Sequence, residues 1–323
     1  CDLILQNNVD GVFCFVDDDP NKLGKFYRGN LHTHSWNSDG LLSPETVCKK
    51  YKDEGYDFIS LTDHFVGLYN YPITKTEKFR SENFSTILGA EVHSGSMENG
   101  EIWHILAVGL PENFKPPNCP SFLPVDDQES AVELAKRCKE AGAFISIAHP
   151  QWSGMSLNDA VSLASIADSV EIYNHGCAVD CDRPDGTHML DLLSSSGFRL
   201  NAIATDDAHF KTRDFFGGWV YVKAKKNDPN HLLSALKNGD YYSSSGPLNK
   251  NVEFNGKFIE ITCSEAQKVI ALGHGSASNS IQGENLTSCR INLEMFFNSK
   301  WIRIVVIDKN SKKAWTNPIW IQK

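Results

Sequence analysis

Between residues 30 and 240, short apolar, β-rich runs alternate with amphipathic helical stretches, and this alternation constrains the fold more than any other feature of the chain. The runs lie around Leu31 and at 58–61, 86–88, 102–108, 143–148, 170–173, 200–204 and 219–222. The periodicity predicts helices over 44–54, 128–141, 157–167, 187–196 and 230–237. Ser43 stands where a helix cap belongs, with Pro44 in the first turn behind it. Gly142 and Gly197 each stand where a helix should stop. Strands separated by helices predict an α/β fold with a largely parallel sheet.

The pattern changes after Gly246-Pro247. Residues 251–323 hold no convincing helix, only β-rich runs at 258–263, 269–272, 290–296, 301–308 and 319–322 with turn residues between them. They read as a small C-terminal β-sandwich, whose simplest role is to pack against the main domain or to make a homodimer. At the other end, runs at 9–16 and 25–27 flank the turn Asp17-Asp18-Asp19-Pro20 and predict a β-hairpin. The expected organisation is therefore an N-terminal extension over 1–28, a main domain over 29–247 and the sandwich over 248–323.

Charge narrows the partners. With 31 Lys and Arg against 40 Asp and Glu the net charge is −9, which offers no basic stripe for nucleic acid. A phosphorylated small molecule stays compatible with that charge, because bound divalent metals reverse the field inside a cleft. No apolar run approaches the ~18 residues of a membrane span. No basic segment leads into an apolar one, so any signal peptide is expected to be gone. Cys1 fits either a trimmed chain or an acylated lipoprotein, and the compartment stays open between cytoplasmic and exported. The nine cysteines form no CxxC pair; Cys48 and Cys138 read as buried thiols in helices. Cys177 and Cys181 read as loop thiols, with pairing or metal binding as the alternative.

The chemistry lies in what ends each run. His32 and His34 are two apart at a strand end and so share a face. Asp39 follows in a Ser-Asp-Gly turn; the next runs end Leu61-Thr62-Asp63-His64 and Gly89-Ala90-Glu91. His104 sits on Trp103-His104-Ile105-Leu106, His149 closes 144–149, and Asp206-Asp207-Ala208-His209 closes another run. Singly, each reads as a rim histidine or a turn aspartate. Jointly they would meet in one cleft, because strand ends converge on one rim of a parallel α/β fold. His93, His175, His188 and His231 show no such pattern and are not expected in the site, although His175 could line the cleft.

These segments, from Gly29-Asn30-Leu31-His32-Thr33-His34 through Ser38-Asp39-Gly40, Leu61-Thr62-Asp63-His64, Gly89-Ala90-Glu91 and Ala148-His149-Pro150 to Asp206-Asp207-Ala208-His209, resemble the successive motifs of the PHP (polymerase and histidinol phosphatase) superfamily. The resemblance covers about residues 27–247. Ser244-Ser245-Gly246-Pro247 and Lys313-Ala314-Trp315-Thr316-Asn317-Pro318 are similar to the branch that includes carbaryl and carbamate hydrolases. It implies a distorted seven-stranded β/α (TIM-like) barrel with two or three divalent metal ions. On that likeness one ion would take His32, His34, Glu91 and Asp207; a second would share Glu91 and add His104 and His149; a third would take Asp39, His64 and His209. Asp207 is preferred to Asp206 on the family's Asp-x-His spacing, which leaves Asp206 as a supporting partner. Nitrogen and oxygen donors suit Zn, Mn or Fe.

Position suggests further roles. Asp63 could orient His64 or handle a proton, or simply cap a turn; with Glu91 and His209 it makes the expected catalytic group. Glu171, Tyr173 and Asn174 end a strand and would shape the pocket. Arg183, Lys211 and Arg213 lie in loops where a cation could bind phosphate or carboxylate, or merely be solvated. The leading expectation is a phosphoesterase that attacks with metal-activated hydroxide. Hydrolysis of a carbamate, amide or carboxylic ester is the alternative, and a non-catalytic surface-binding module the third.

Overall fold

The structure is a computed structural model that describes residues 12–14, 24–255 and 257–321. β1 (Val12–Cys14) and β2 (Lys25–Asn30) precede α1 (Pro44–Asp53), β3 (Phe58–Leu61), β4 (His64–Phe65), β5 (Ser85–Val92) and β6 (Ile105–Val108). Next come α2 (Ala131–Glu140), β7 (Phe144–Ile147), α3 (Leu157–Ala164), β8 (Ser169–Asn174), α4 (His175–Cys181) and α5 (Thr187–Ser195). β9 (Asn201–Thr205), β10 (Trp219–Ala224), α6 (Pro229–Asn238) and β11 (Tyr241–Ser244) complete the α/β part. The tail holds β12 (Asn249–Asn255), β13 (Phe258–Gly273), β14 (Ser278–Asn292), β15 (Trp301–Ile307), β16 (Lys313–Thr316) and β17 (Ile319–Trp320).

Helix starts follow local chemistry. The Ser43 hydroxyl accepts from Thr46 N–H, and Ser130–Glu133 and Ser156–Asp159 form reciprocal capping boxes. Ser130 therefore starts α2 three residues later than the periodicity predicts. α4 was read as loop; Asn174 caps it by accepting from Cys177 N–H at 2.8 Å, and Asp182 ends it in the left-handed conformation. Cys177 and Cys181 both remain free thiols on this helix.

The strands pair in the order β11–β10–β2–β3–β5–β6–β7–β8–β9. Pairings β2–β3, β3–β5, β7–β8 and β8–β9 are parallel as expected, but β10 runs antiparallel to β11 and β2, and β6 to both β5 and β7. No α-helix lies between β5 and β6, and the short connection favours a reversal over a parallel crossover. β6 and β7 are buried on both faces, in alternation. Ile105, Ala107, Ile145 and Ile147 pack with α2, α3 and α5, while Leu106, Val108, Phe144 and Ala148 join Leu31, Phe58, Ile203 and α6 in a second cluster. No ladder joins β9 to β2. Their ends meet through an isolated parallel bridge, Thr33–Ala208, with His34 N–H donating to Ala208 and Asp207 N–H to His32, both at 2.8 Å. The fold is mixed α/β with one large sheet, not a barrel closed by continuous pairing.

The tail is antiparallel throughout and has its own apolar cluster around Ile259, Val269, Phe296 and Ile304. It is knitted to the rest by the β11–β16 pairing and by Arg303, whose guanidinium holds Asp191 of α5 at 2.7 and 2.8 Å. Most of the expected N-terminal hairpin lies outside the described residues. Its described part, β1, pairs with β12 and not with β2.

Candidate metal centre

Strand ends build the site. His32 and His34 follow β2, Glu91 is on β5, His149 follows β7, and Asp207 and His209 follow β9. His104 is the instructive member, because it precedes its strand. β6 is reversed, so its beginning lies on the rim where its neighbours end. Asp39 arrives in the turn after His34, and Gly40 lets that turn close: a Cβ there would lie 2.7 Å from the His34 carbonyl.

Glu91 is the hub. It is fully buried, with Oε1 2.7 Å from His104 Nδ1 and 3.1 Å from His149 Nε2. Its Oε2 lies 2.8 Å from His64 Nδ1, 3.4 Å from His32 Nε2 and 3.5 Å from His34 Nε2. Asp207 Oδ1 is 3.0 Å from Nε2 of both His32 and His34. Asp39 Oδ1 faces His209 Nε2 at 3.2 Å and His64 Nε2 at 3.5 Å. Three groups have donor atoms close enough to share an ion: His32, His34, Glu91 and Asp207; His34, Asp39, His64 and His209; and His64, Glu91, His93 and His104.

All nine residues expected as ligands are thus brought together. His32 Nε2, Glu91 Oε2 and Asp39 Oδ1 are buried with no hydrogen-bond partner. Such an atom costs about 1–3 kcal/mol when left unsatisfied, so three of them in one cluster of ligating residues fit bound ions better than they fit a protein core. Two of the nine also hold strained backbone, His149 at φ 23° and Asp207 at φ 53°. Such conformations cost on the order of 1–3 kcal/mol each and gather at functional sites.

Electrostatics follows from the crowding. Burial alone would raise Glu91, but the adjacent His64, His104 and His32 hold it well below the usual carboxylate range. Burial would lower His32, yet Asp207, Glu171 and Glu91 raise it well above an ordinary imidazole. His34 falls to about 4, from burial and then from neighbouring His209 and His64. His209 is desolvated too, but its bond to Asp39 and the charge of Asp207 push it up to about 9.

Supporting groups lie beneath. Buried Glu171 is 2.9 Å from His32 Nδ1 and accepts from His149 N–H at 2.7 Å, from Asn174 Nδ2 at 3.0 Å and from the Thr205 hydroxyl. This fixes the proton of His32 on Nδ1 and leaves Nε2 as the donor atom. Asn174 also holds Asp207 Oδ2 at 3.0 Å; it is fully buried and is not among the residues lining the cavity into which the cluster opens. Asp206 turns the other way, accepting from Tyr51 OH and from the N–H groups of Phe216, Gly217 and Gly218 at 2.7–2.9 Å. Asp63 accepts from Ser35 N–H, the Ser35 and Ser38 hydroxyls and Thr74 at 2.5–2.8 Å. The structure brings Asp63 onto the loop carrying Asp39, not onto His64.

The cluster opens into a cavity of about 780 Å³, with Phe122, Trp152 and Ile102 on its apolar side and Arg183 and Lys211 among its polar residues. Lys211 Nζ lies 3.2 Å from Asp39 Oδ2. Exposed Arg213 does not line the cavity, and neither does His175. His93 was not expected here and is fully buried in the cluster. Its spacing from Glu91 was the available signal, since residues two apart on a strand share a face.

Comparison with known proteins gives a family match and several similar structures. The PHP domain model matches residues 30–173. A two-domain protein of Bacteroides vulgatus ATCC 8482, containing a predicted PHP-like metal-dependent phosphoesterase, is 16% identical over 95% of this chain and 98% of that one, with a TM-score of 0.53. A candidate metal-dependent phosphoesterase of Bifidobacterium adolescentis ATCC 15703 matches at 13% identity over 56% of this chain and 87% of that one (TM-score 0.41). An amidohydrolase of Chromobacterium violaceum, solved with sulfate, matches at 16% over 56% and 87% (TM-score 0.41). At 16% identity the likeness to the Bacteroides protein is one of fold. None of the three bears on the narrower likeness to carbamate hydrolases, and no curated protein matches the chain. The family match and the metal-competent cluster coincide: residues 30–173 match the PHP domain model, and most of the clustered residues lie within that stretch.

Proposed function

We propose that the chain is a metal-dependent phosphoesterase acting on a small phosphorylated molecule. The reading rests on one observation: nine His, Asp and Glu residues, separate in sequence, gather in one cluster with Glu91 at its hub, where several buried donor atoms have no hydrogen-bond partner. In this reading two or three divalent ions (Zn, Mn or Fe) are held by His32, His34, Glu91 and Asp207, by Glu91, His104 and His149, and by Asp39, His64 and His209. Bound there, they would supply an acidified water and draw off negative charge from the ester. The chain's own part is to hold that geometry and to bind what enters. Arg183 and Lys211 offer cations to the phosphate, while Phe122 and Trp152 give an apolar wall to the rest of the molecule. Without metal, His209, pushed up to about 9, holds a proton at the mouth of the cluster, and an ion bound there would displace it.

Strands β2, β3 and β5–β9 are taken as the seven staves of a distorted barrel, a reading supported by the apolar cluster on their inner faces and by the Thr33–Ala208 bridge. Residues 29–247 would be the hydrolase unit and 248–323 a packing or dimerising domain. The test is metal analysis together with a panel of aryl phosphates and aryl carbamates. Metal content and phosphatase activity should both collapse in His32→Ala and Glu91→Ala. Unchanged activity in both variants would sink the reading, and activity on carbamates alone would move the site to carbamate hydrolysis.

A further inference from the structure

We propose that His93 is a positioning residue of the metal centre, which fixes the proton of His64 on Nδ1 and so presents His64 Nε2, unprotonated, toward Asp39 and His209. The argument follows protons along three groups. His93 Nδ1 lies 3.1 Å from the Trp103 carbonyl oxygen, which can only accept, so Nδ1 carries the hydrogen. Neutral His93 then offers a lone pair at Nε2. That atom lies 3.0 Å from His64 Nδ1 in hydrogen-bonding geometry, so His64 is the donor. Glu91 Oε2 is as close, 2.8 Å from the same nitrogen, but accepts no hydrogen bond. With its proton on Nδ1, His64 keeps a lone pair on Nε2, the atom 3.5 Å from Asp39 Oδ1.

The surroundings keep this arrangement dry. His93 is fully buried. The Phe122 ring packs edge-on to His64 and His93 at centroid distances of 4.9 and 5.3 Å. The perpendicular His104 ring lies 4.3 Å from His93. His93 thus does for the Asp39–His64–His209 group what Glu171 does for His32, with a neutral acceptor in place of a carboxylate. A neutral acceptor adds no charge beneath Glu91 and keeps its own nitrogen out of the ion.

The proposal rests on the metal reading above, and the test separates the two. Zn²⁺ titration of the full chain should show one of the sites weakened about 10–100-fold in His93→Ala, with the others kept. His93→Gln, whose amide oxygen can accept the same hydrogen, should restore that affinity; an amide oxygen would not replace a lost imidazole ligand. In the Zn²⁺-loaded wild type, nitrogen-detected NMR should find His64 protonated on Nδ1 and His93 protonated on Nδ1 with Nε2 free of metal. A wild type that takes up no Zn²⁺ overturns the metal reading itself. A metal-binding wild type whose His93→Ala variant binds with unchanged affinity overturns only the role of His93. So does a His93 Nε2 signal shifted by direct coordination, or a His93→Gln variant as weak as His93→Ala but equally well folded.

Discussion

At the scale of single residues, the sequence offers two adjacent aspartates and the structure gives them opposite tasks. Asp207 lies against His32 and His34, and Asp206 takes four hydrogen bonds from the other side. Asp207→Asn should therefore lose metal while melting, with chelator present, near the temperature of the metal-free wild type. Asp206→Asn should keep the metal count and lose roughly 1.5–3 kcal/mol of stability in denaturant titrations. Equal metal loss in the two variants would contradict this division. Glu171 makes a second residue-scale case. Glu171→Ala strands His32 Nδ1, Thr205 Oγ1 and the His149 N–H, and metal affinity measured by competition with a chelating dye should fall about 10–100-fold.

At the scale of elements, most of the alternation was legible because helix caps and apolar periodicity are local. Strand β3 falls on the predicted residues, and α1, α5 and α6 begin within a residue of prediction. What escaped were features set by neighbours distant in sequence. α4 is too short for periodicity to show and depends on the Asn174 cap. The reversal of β6 depends on a connection without an α-helix, and that reversal brings His104 to the rim. Caps give the element-scale prediction: Ser130→Ala removes the hydroxyl half of the α2 capping box, leaving Glu133 on the backbone N–H of residue 130, and should cost about 1 kcal/mol in chemical denaturation, with metal content unchanged. An unaltered midpoint would show that tertiary packing alone holds that end of α2.

At the scale of the whole molecule, the site joins segments from residue 32 to residue 209, so metal and fold should be coupled. An ion that binds only the folded state raises its stability by mass action. Protons compete for the same atoms, and the sign can be worked out for His209. Its pKa in the fold is about 9, above the ordinary 6.5. The Asp39–His209 pair therefore stabilises the metal-free protein fully below pH 6.5 and loses that contribution as pH rises toward 9. Metal must displace this proton, so the gain in Tm on adding Zn²⁺ should grow over the same window. Thermal melts with and without chelator from pH 6 to 9 check both trends, and a metal-induced gain that shrinks with pH would exclude His209 as a ligand. Among the described residues no helix is long and apolar enough to cross a membrane.

The sequence by itself determined which residue types are available at which strand ends, and hence an α/β fold with a cluster of nitrogen and oxygen donors. That much is local, because a period of two or of 3.6 residues fixes faces and caps within one element. Only the tertiary structure decided which atom of each residue faces inward, that Asp63 and Asp206 turn away, and that Glu171 and His93 lie beneath His32 and His64. The reason is that a buried polar side chain goes where its hydrogen bonds can be completed, and here the partners lie up to 176 residues away, as Asp206 does from Asn30.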